Sequence, residues 1–220
     1  MLILLILWCP AVRAKPHAVV RVNTEDSKGS SHGSGTCLGW DANHGLIITA
    51  WHVIKDNQGQ ATVNFFINRE VVTLDAEIVA VDRLWDLAAL VVKRTDWGTV
   101  PFMRLGKNKP VEGDKITLSG FGRAGLQTYR EIEGVVVGFC APSSTAAYDL
   151  MVVDVASRNG DSGGPMRSEN GLLVGVLFGS DGATHGSHCE RIRLFLGPLE
   201  GRFPDLIRMI LTTYPLFEPK

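Results

Sequence analysis

An all-β fold in two halves is predicted for this 220-residue chain by three features. Short apolar runs rich in Val, Ile and Leu recur from Ala18 onward, glycine and polar turns separate them, and helical periodicity is confined to the end. The runs are AVVRV (18–22), GLIITA (45–50), ATVNFFI (61–67), VVTLDAEIVAV (71–81), LAALVV (87–92), KITLSGFG (115–122), EGVVVGF (133–139), LMVVDV (150–155) and LLVGVLF (172–178). Residues 95–114, with Pro101 and Pro110, interrupt the pattern and read as the crossing between the halves. Near the end, Phe203, Leu206, Ile207, Ile210, Leu211 and Tyr214 fall at helical spacing, with Pro204 at the first turn. A helix over about 203–214 is expected, packed against the second half. No internal repeat is visible.

The chain is 45% hydrophobic and 20% charged with a formal net charge of −1, an ordinary globular composition. Near-neutral charge gives no electrostatic basis for a nucleic-acid partner. Residues 1–14 (MLILLILWCPAVRA) read as a secretory leader cleaved after Ala14, too short to span a bilayer, although no basic residue precedes the apolar run. A buried first strand is the competing reading. The mature chain of residues 15–220 then carries no stable membrane insertion and is secreted or periplasmic. It keeps Cys37, Cys140 and Cys189, enough for at most one disulfide. His185, His188 and Cys189 form a cluster, HGSHC, but without a fourth ligand at motif spacing it reads as a surface loop rather than a metal site. No cofactor is implied.

The segment ASRNGDSGGPM (156–166) packs three glycines and a proline around Ser162. That density serves either a tight turn or a nucleophile, and a serine nucleophile needs a base and an acid from elsewhere. Among six histidines, His52 stands where the apolar run GLIITAW ends in a short turn; the others lie in polar surroundings. For the acid, Asp86 directly precedes the apolar run LAAL, where a carboxylate is poorly solvated and requires a donor such as a histidine Nδ1–H. Asp82 competes but has Arg83 beside it as a surface partner.

Together TAWHV, DLAAL and GDSGGP resemble the trypsin-like, chymotrypsin-fold serine peptidases, whose triad runs in the order His, Asp, Ser. Thirty-four residues separate His52 from Asp86 and 76 separate Asp86 from Ser162. With GSGTCLGW and VAVDRLWDLAAL, these spacings are similar to those of the compact bacterial peptidases of the HtrA kind, here without an appended PDZ segment. The resemblance implies two six-stranded antiparallel β-barrels, the first over about 15–100 and the second over about 110–200, with a short C-terminal helix. It implies a serine endopeptidase acting on protein or peptide substrates: Ser162 as nucleophile, His52 as base, Asp86 orienting the ring, and the Gly160 and Ser162 N–H groups as oxyanion hole.

The resemblance also locates departures and a pocket. The histidine-loop disulfide is absent, because Val53 stands where Cys37 would find its partner, and Arg158 replaces a further cysteine. A Cys140–Cys189 bridge is left open. No Ile-Val-Gly-Gly start exists to supply an amino terminus to Asp161, so another group, an arginine or the histidine loop, must satisfy it. Mature protein beginning near Lys15 and active without processing is therefore expected. Ala156 would floor the substrate pocket and Leu177, Phe178 and Gly179 would wall it, favouring an uncharged small-to-medium side chain before the cut bond. Relatives that cut after glutamate carry a histidine where this chain has Val176. Two alternatives are kept: a catalytically inactive binding module on the same fold, or an esterase, since GDSGG also fits a nucleophile elbow with Asp181 and His185 as nominal partners. The missing strand–helix alternation counts against the elbow.

Overall fold

The computed structural model describes residues 18–26, 29–58, 60–67, 70–95, 100–122, 129–147 and 149–212. The leader reading of residues 1–14 and the placement of Tyr214 lie outside them. Among the described residues, twelve strands form two closed antiparallel barrels. In the first, β1 (Val19–Asp26), β2 (Gly29–Trp40), β3 (His44–Thr49), β4 (Ala61–Ile67), β5 (Glu70–Asp82) and β6 (Leu87–Lys93) are ordered β1-β2-β3-β6-β5-β4, and β4 returns to β1. In the second, β7 (Lys115–Gly120), β8 (Arg130–Cys140), β9 (Leu150–Val153), β10 (Pro165–Ser168), β11 (Leu173–Ser180) and β12 (Thr184–His188) repeat that winding as β7-β8-β9-β12-β11-β10. The topology is thus duplicated where the sequence is not.

Side-chain alternation explains the layering. In β4 every second residue is buried, as expected of a strand with one face inward. The strand β6 reads as a continuous apolar run because both of its faces are covered. Ala88, Leu90 and Val92 fill the first barrel with Val20, Val63 and Phe65, whereas Leu87, Ala89 and Val91 face outward. That outward face joins Leu38, Leu46 and Ile48 to Leu105, Leu150, Leu173 and Val176 of the second half, so one apolar core cements the barrels together. A third core, including Met151, Met166 and Leu177, fills the second barrel. Each fully buried Leu or Ile in these cores contributes about 1.5–3 kcal/mol relative to exposure.

The terminal helices depart from expectation in two ways. After the short α1 (Trp51–Ile54), residues 189–196 form an unexpected helix, α2 (Cys189–Leu196); its charged sequence CERIRLFL hides a buried stripe of Cys189, Ile192 and Leu196. A 3₁₀ turn (Gly197–Gly201) leads to α3 (Pro204–Thr212). The α3 helix packs against β2 and β3 of the first barrel rather than against the second: a Cβ on Gly39 would stand 2.5 Å from Met209 Cε, and the Phe203 ring meets His44 edge-on at 5.5 Å. Leu206, Ile207 and Ile210 are buried in the shared inter-barrel core, so the helix closes that core from the first barrel's side.

The HGSHC segment is likewise not a surface loop. It forms β12 and the start of α2, and His188 is 1% exposed. Its Nε2 lies 3.0 Å from Asp149 Oδ1, though off-axis for a hydrogen bond. Lys109 Nζ and Arg191 Nε (2.8 Å) also bind the Asp149 carboxylate, while Lys109 lies over the Phe139 ring and Arg191 over Trp85. This cluster ties the crossing segment to β9 and α2. Cys37, Cys140 and Cys189 are all free thiols; Cys189 Sγ donates to Asn108 O at 3.0 Å, and burial pushes the Cys37 thiol up to about 12.

Burial alone would raise the Asp149 pKa, but the bonds from Lys109 and Arg191 and the adjacent His188 hold it at about 2. A depressed carboxylate contributes stability that is present above its unfolded value and lost as pH falls toward the folded one. Asp149→Asn is expected to lower the urea midpoint at pH 7, with the gap to wild type closing as pH falls from about 4 toward 2. Urea titrations across that range measure it.

Candidate active site

Strand pairing brings His52 and Asp86 together. Thr49 at the end of β3 is paired with Ala88 at the start of β6, so the turns beyond the two strand ends abut. Trp51 N–H donates to Asp86 O at 3.1 Å and His52 N–H to Asp86 Oδ1 at 2.7 Å. The second carboxylate oxygen meets His52 Nδ1 at 2.5 Å. An ionised carboxylate only accepts, so Nδ1 carries the proton and Nε2 presents its lone pair outward. Asp86 is 3% exposed, and at φ 50° it is the one non-glycine residue with positive φ among the described residues. Backbone strain of that kind persists only where surroundings enforce it; here three hydrogen bonds from residues 51 and 52 do so. Asp82 instead caps its own turn, accepting from the Leu84 and Trp85 N–H groups at 3.0 and 3.1 Å.

Across the cleft, Ser162 is half-buried on the loop between β9 and β10. Its Oγ makes no hydrogen bond to the imidazole among the described residues; such bonds commonly tighten only when substrate is held. Gly160 and Gly163 have φ of +94° and +83°, a region that L side chains rarely adopt. A Cβ on Gly163 would also collide with Ser34 O and Thr49 Oγ1, and one on Gly164 with Ser119 O. The loop is pinned to β11 by Gly163 N–H to Leu177 O (2.8 Å) and Leu177 N–H to Gly164 O (2.9 Å).

Asp161 is buried, 3% exposed. Its Oδ2 accepts from Arg130 Nε at 3.1 Å, Arg130 Nη2 at 2.7 Å and the Arg158 N–H at 2.9 Å. Its Oδ1 occupies the space a Cβ on Gly122 would take and has no hydrogen-bond partner among the described residues. Arg130, at the start of β8, therefore supplies the cation that the sequence left unidentified. His32 Nε2 would lie 3.2 Å from a Cβ on Gly160; burial, then the neighbouring Arg21, holds its pKa below the usual histidine value.

Of the pocket residues, Ala156 is exposed, Leu177 is buried at 1%, and Phe178 and Gly179 are half-buried. The Phe178 ring approaches His52 edge-on at 6.3 Å, and a Cβ at Gly179 would meet nothing within 4 Å. Thr184 Oγ1 donates to Val155 O at 2.6 Å and accepts the Ser157 N–H at 2.9 Å, fixing the segment on either side of Ala156. His185 is paired in register with Gly179, and its Nε2 lies 3.6 Å from Asp181. Sequence reasoning named an arginine for Asp161 without its position and missed Ser34, whose only visible signal is a serine between glycines in GSGT.

The trypsin-like peptidase domain model matches residues 33–176. The chain belongs to the trypsin-like peptidase family. It is 31% identical over 164 residues to a probable periplasmic serine endoprotease, DegP-like, of Bartonella henselae, covering 70% of this chain and 29% of that protein. It is 27% identical over 162 residues to the serine protease Do-like HtrA of Bacillus subtilis, covering 70% of this chain and 34% of that protein. The chain thus spans about a third of the length of the curated relatives it matches. A mutant, inactive form of Rv3671c from M. tuberculosis H37Rv shares the fold, with a TM-score of 0.65 at 19% identity over 83% of this chain and 87% of that one.

Gly163→Ala is expected to destabilise the protein by more than about 1 kcal/mol, because it combines a strained φ with a collision against the first barrel. Urea unfolding of the variant beside wild type measures the loss.

Proposed function

We propose that the protein is a serine endopeptidase in which His52, Asp86 and Ser162 act as a triad through an acyl-enzyme intermediate. Ser162 Oγ attacks the scissile carbonyl while His52 Nε2 takes its proton and later returns it to the leaving amine. Asp86 holds the ring in the required tautomer and stabilises the imidazolium. One observation carries the proposal: the Nδ1–Asp86 bond orients His52 just after the strand end against which the Ser162 loop packs, and that loop leaves the Gly160 and Ser162 N–H groups without an acceptor among the described residues. Along that loop the N–H groups of Arg158, Asp161, Gly163 and Gly164 are all engaged, whereas those of Gly160, Ser162 and the exposed Asn159 meet no acceptor among the described residues. Donors held free in a fixed frame are what a developing oxyanion requires. An inactive module would have no need to keep them so.

Arg130 on Asp161 supports activity without a freshly cut amino terminus, from mature protein starting near Lys15. Export to a periplasmic or extracellular compartment is proposed from the leader pattern of residues 1–14; the Bartonella relative is named as periplasmic. Among the described residues no helix is long and apolar enough to cross a membrane. Substrates are proteins or peptides.

Ser162→Ala and His52→Ala are each expected to abolish peptide hydrolysis without unfolding the protein, and the double variant to be little worse than either, because nucleophile and base act as a unit. Asp86→Asn should lower kcat by about 10⁴. Fluorophosphonate labelling of Ser162 with peptide and ester panels checks this; multiplicative losses would sink the triad, and ester turnover without peptide cleavage would favour an esterase.

The exposed Ala156 and the open space at Gly179 favour an uncharged, small-to-medium apolar side chain before the cut bond. His185, facing Gly179 across the register, is already beside Asp181. A methylene more or less in such a pocket is worth only about 1–3 kcal/mol, so selectivity should be broad. Cleavage-site profiling on a peptide library tests this, and a dominant preference for arginine, lysine or glutamate would refute it.

A further inference from the structure

We infer that Ser34, on β2 of the first barrel, is the positioning residue that sets the oxyanion frame of the second. The inference rests on the peptidase reading above. Ser34 is 0% exposed, and each of its polar groups is engaged at the site. Its Oγ–H donates to Gly160 O at 2.7 Å while the same oxygen accepts the Phe121 N–H at 2.9 Å. Its N–H donates to Ser162 O at 2.8 Å. Its carbonyl accepts from Thr49 Oγ1 at 2.6 Å, three residues before His52.

These bonds determine where the free donors point. The peptide joining Gly160 to Asp161 is held at its carbonyl by Ser34 Oγ and at its N–H by Arg158 O, 2.9 Å away. The peptide joining Ser162 to Gly163 is held at its carbonyl by Ser34 N–H and at its N–H by Leu177 O. Between them, the Asp161 carbonyl accepts the Gly164 N–H at 2.9 Å. With these three peptide planes fixed, the N–H of Ser162 has a set direction, and the Gly160 N–H is constrained by its own φ of +94°. One residue of the first barrel thus reaches both residues that carry the oxyanion donors, Gly160 through its hydroxyl and Ser162 through its N–H, and its carbonyl reaches the strand end that carries the base. Competence of the hole thereby depends on the barrels being docked.

A serine is suited to this place for a physical reason. Only a hydroxyl both donates to Gly160 O and accepts from Phe121 N–H at one atom. Alanine would leave both of those backbone groups buried and unpaired, and the cheapest relief is rotation of the Gly160–Asp161 peptide, which turns the donor frame. Since the hole acts on the transition state rather than on bound substrate, the loss should appear in kcat.

The test compares wild type, Ser34→Ala, Ser34→Thr and Ser34→Cys in the full chain. Fluorophosphonate labelling, kcat and KM on one peptide, and the affinity of a peptide aldehyde of the same sequence are read for each. Ser34→Ala is expected to lower kcat by up to about 10²-fold, the scale of losing one oxyanion donor, with KM little changed and aldehyde affinity falling in step with kcat/KM. Ser34→Thr, which keeps the hydroxyl, should retain most of the rate and Ser34→Cys should not. A folded Ser34→Ala with unchanged kcat, or with a loss confined to KM, overturns the assignment. If Ser34→Ala does not fold, the Thr and Cys variants decide: equal rates overturn it and a hydroxyl-dependent rate supports it. A wild type that neither labels nor cuts overturns the peptidase reading and this inference with it, whereas labelled, active wild type with an indifferent Ser34→Ala overturns this inference alone.

Discussion

Buried carboxylates must be paired, and the site on both sides of the cleft is arranged around two of them. Asp86 and Asp161 are each 3% exposed. An isolated charge in such a place is costly enough that an unpaired carboxylate would take up a proton instead. The Asp86 carboxylate is met by the ring nitrogen and the backbone N–H of His52, and those bonds hold His52 in one orientation. Asp161 is met by a guanidinium and a backbone N–H, and the turn that carries Ser162 is wound around that pairing. Satisfying each acid fixes the geometry beside it, so the partner of each carboxylate is also the constraint on the chemistry.

The two halves of this arrangement sit on different barrels, so their register depends on the apolar core between them. The outward face of β6 serves that core, and the same strand starts immediately after Asp86. On the opposite side, Val176 in β11 packs into it, and the adjacent Leu177 pins Gly163 and Gly164. Asp86 and the anchor of the Ser162 loop are therefore each set within one residue of side chains that hold the barrels together. Ser34 adds the polar counterpart of that apolar contact, with hydrogen bonds that cross the interface within a fraction of an ångström of ideal length.

Much of this was legible in the chain because burial writes itself in side-chain pattern. Strands such as β4 and β6 announce themselves by alternation or by continuous apolar residues, and Asp86 was separable from Asp82 by the apolar run that follows it. Strands β2, β10 and β12 were not legible. They are GSSHGSGTCLGW, PMRS and THGSH, whose burial comes from glycines that admit close neighbours and from polar groups satisfied by distant partners. The HGSHC segment reads as a loop for that reason: nothing local indicates that His188 will meet Asp149, 39 residues earlier. Helix α2 was hidden by its charges, since Arg191 and Arg193 are engaged with Asp149 and with backbone carbonyls. The α3 helix was legible as a helix, but its docking against Gly39 depends on a missing side chain in another strand.

The same distinction divides the site. His52, Asp86 and Ser162 carry chemical types that sequence can flag, and the glycines around Ser162 report a crowded turn. Arg130 and Ser34 carry ordinary chemistry, and their importance is created by separation: Asp161 comes 31 positions after Arg130, and Gly160 comes 126 positions after Ser34. Neither pairing leaves a periodicity or a motif. Each is required by an accounting that becomes possible only in three dimensions, in which a buried carboxylate needs a cation and a buried carbonyl needs a donor. Groups that perform chemistry are thus chosen by type and can be sought along the chain. Groups that hold them ready are chosen by place, and they emerge when every buried polar atom around the site is asked for its partner.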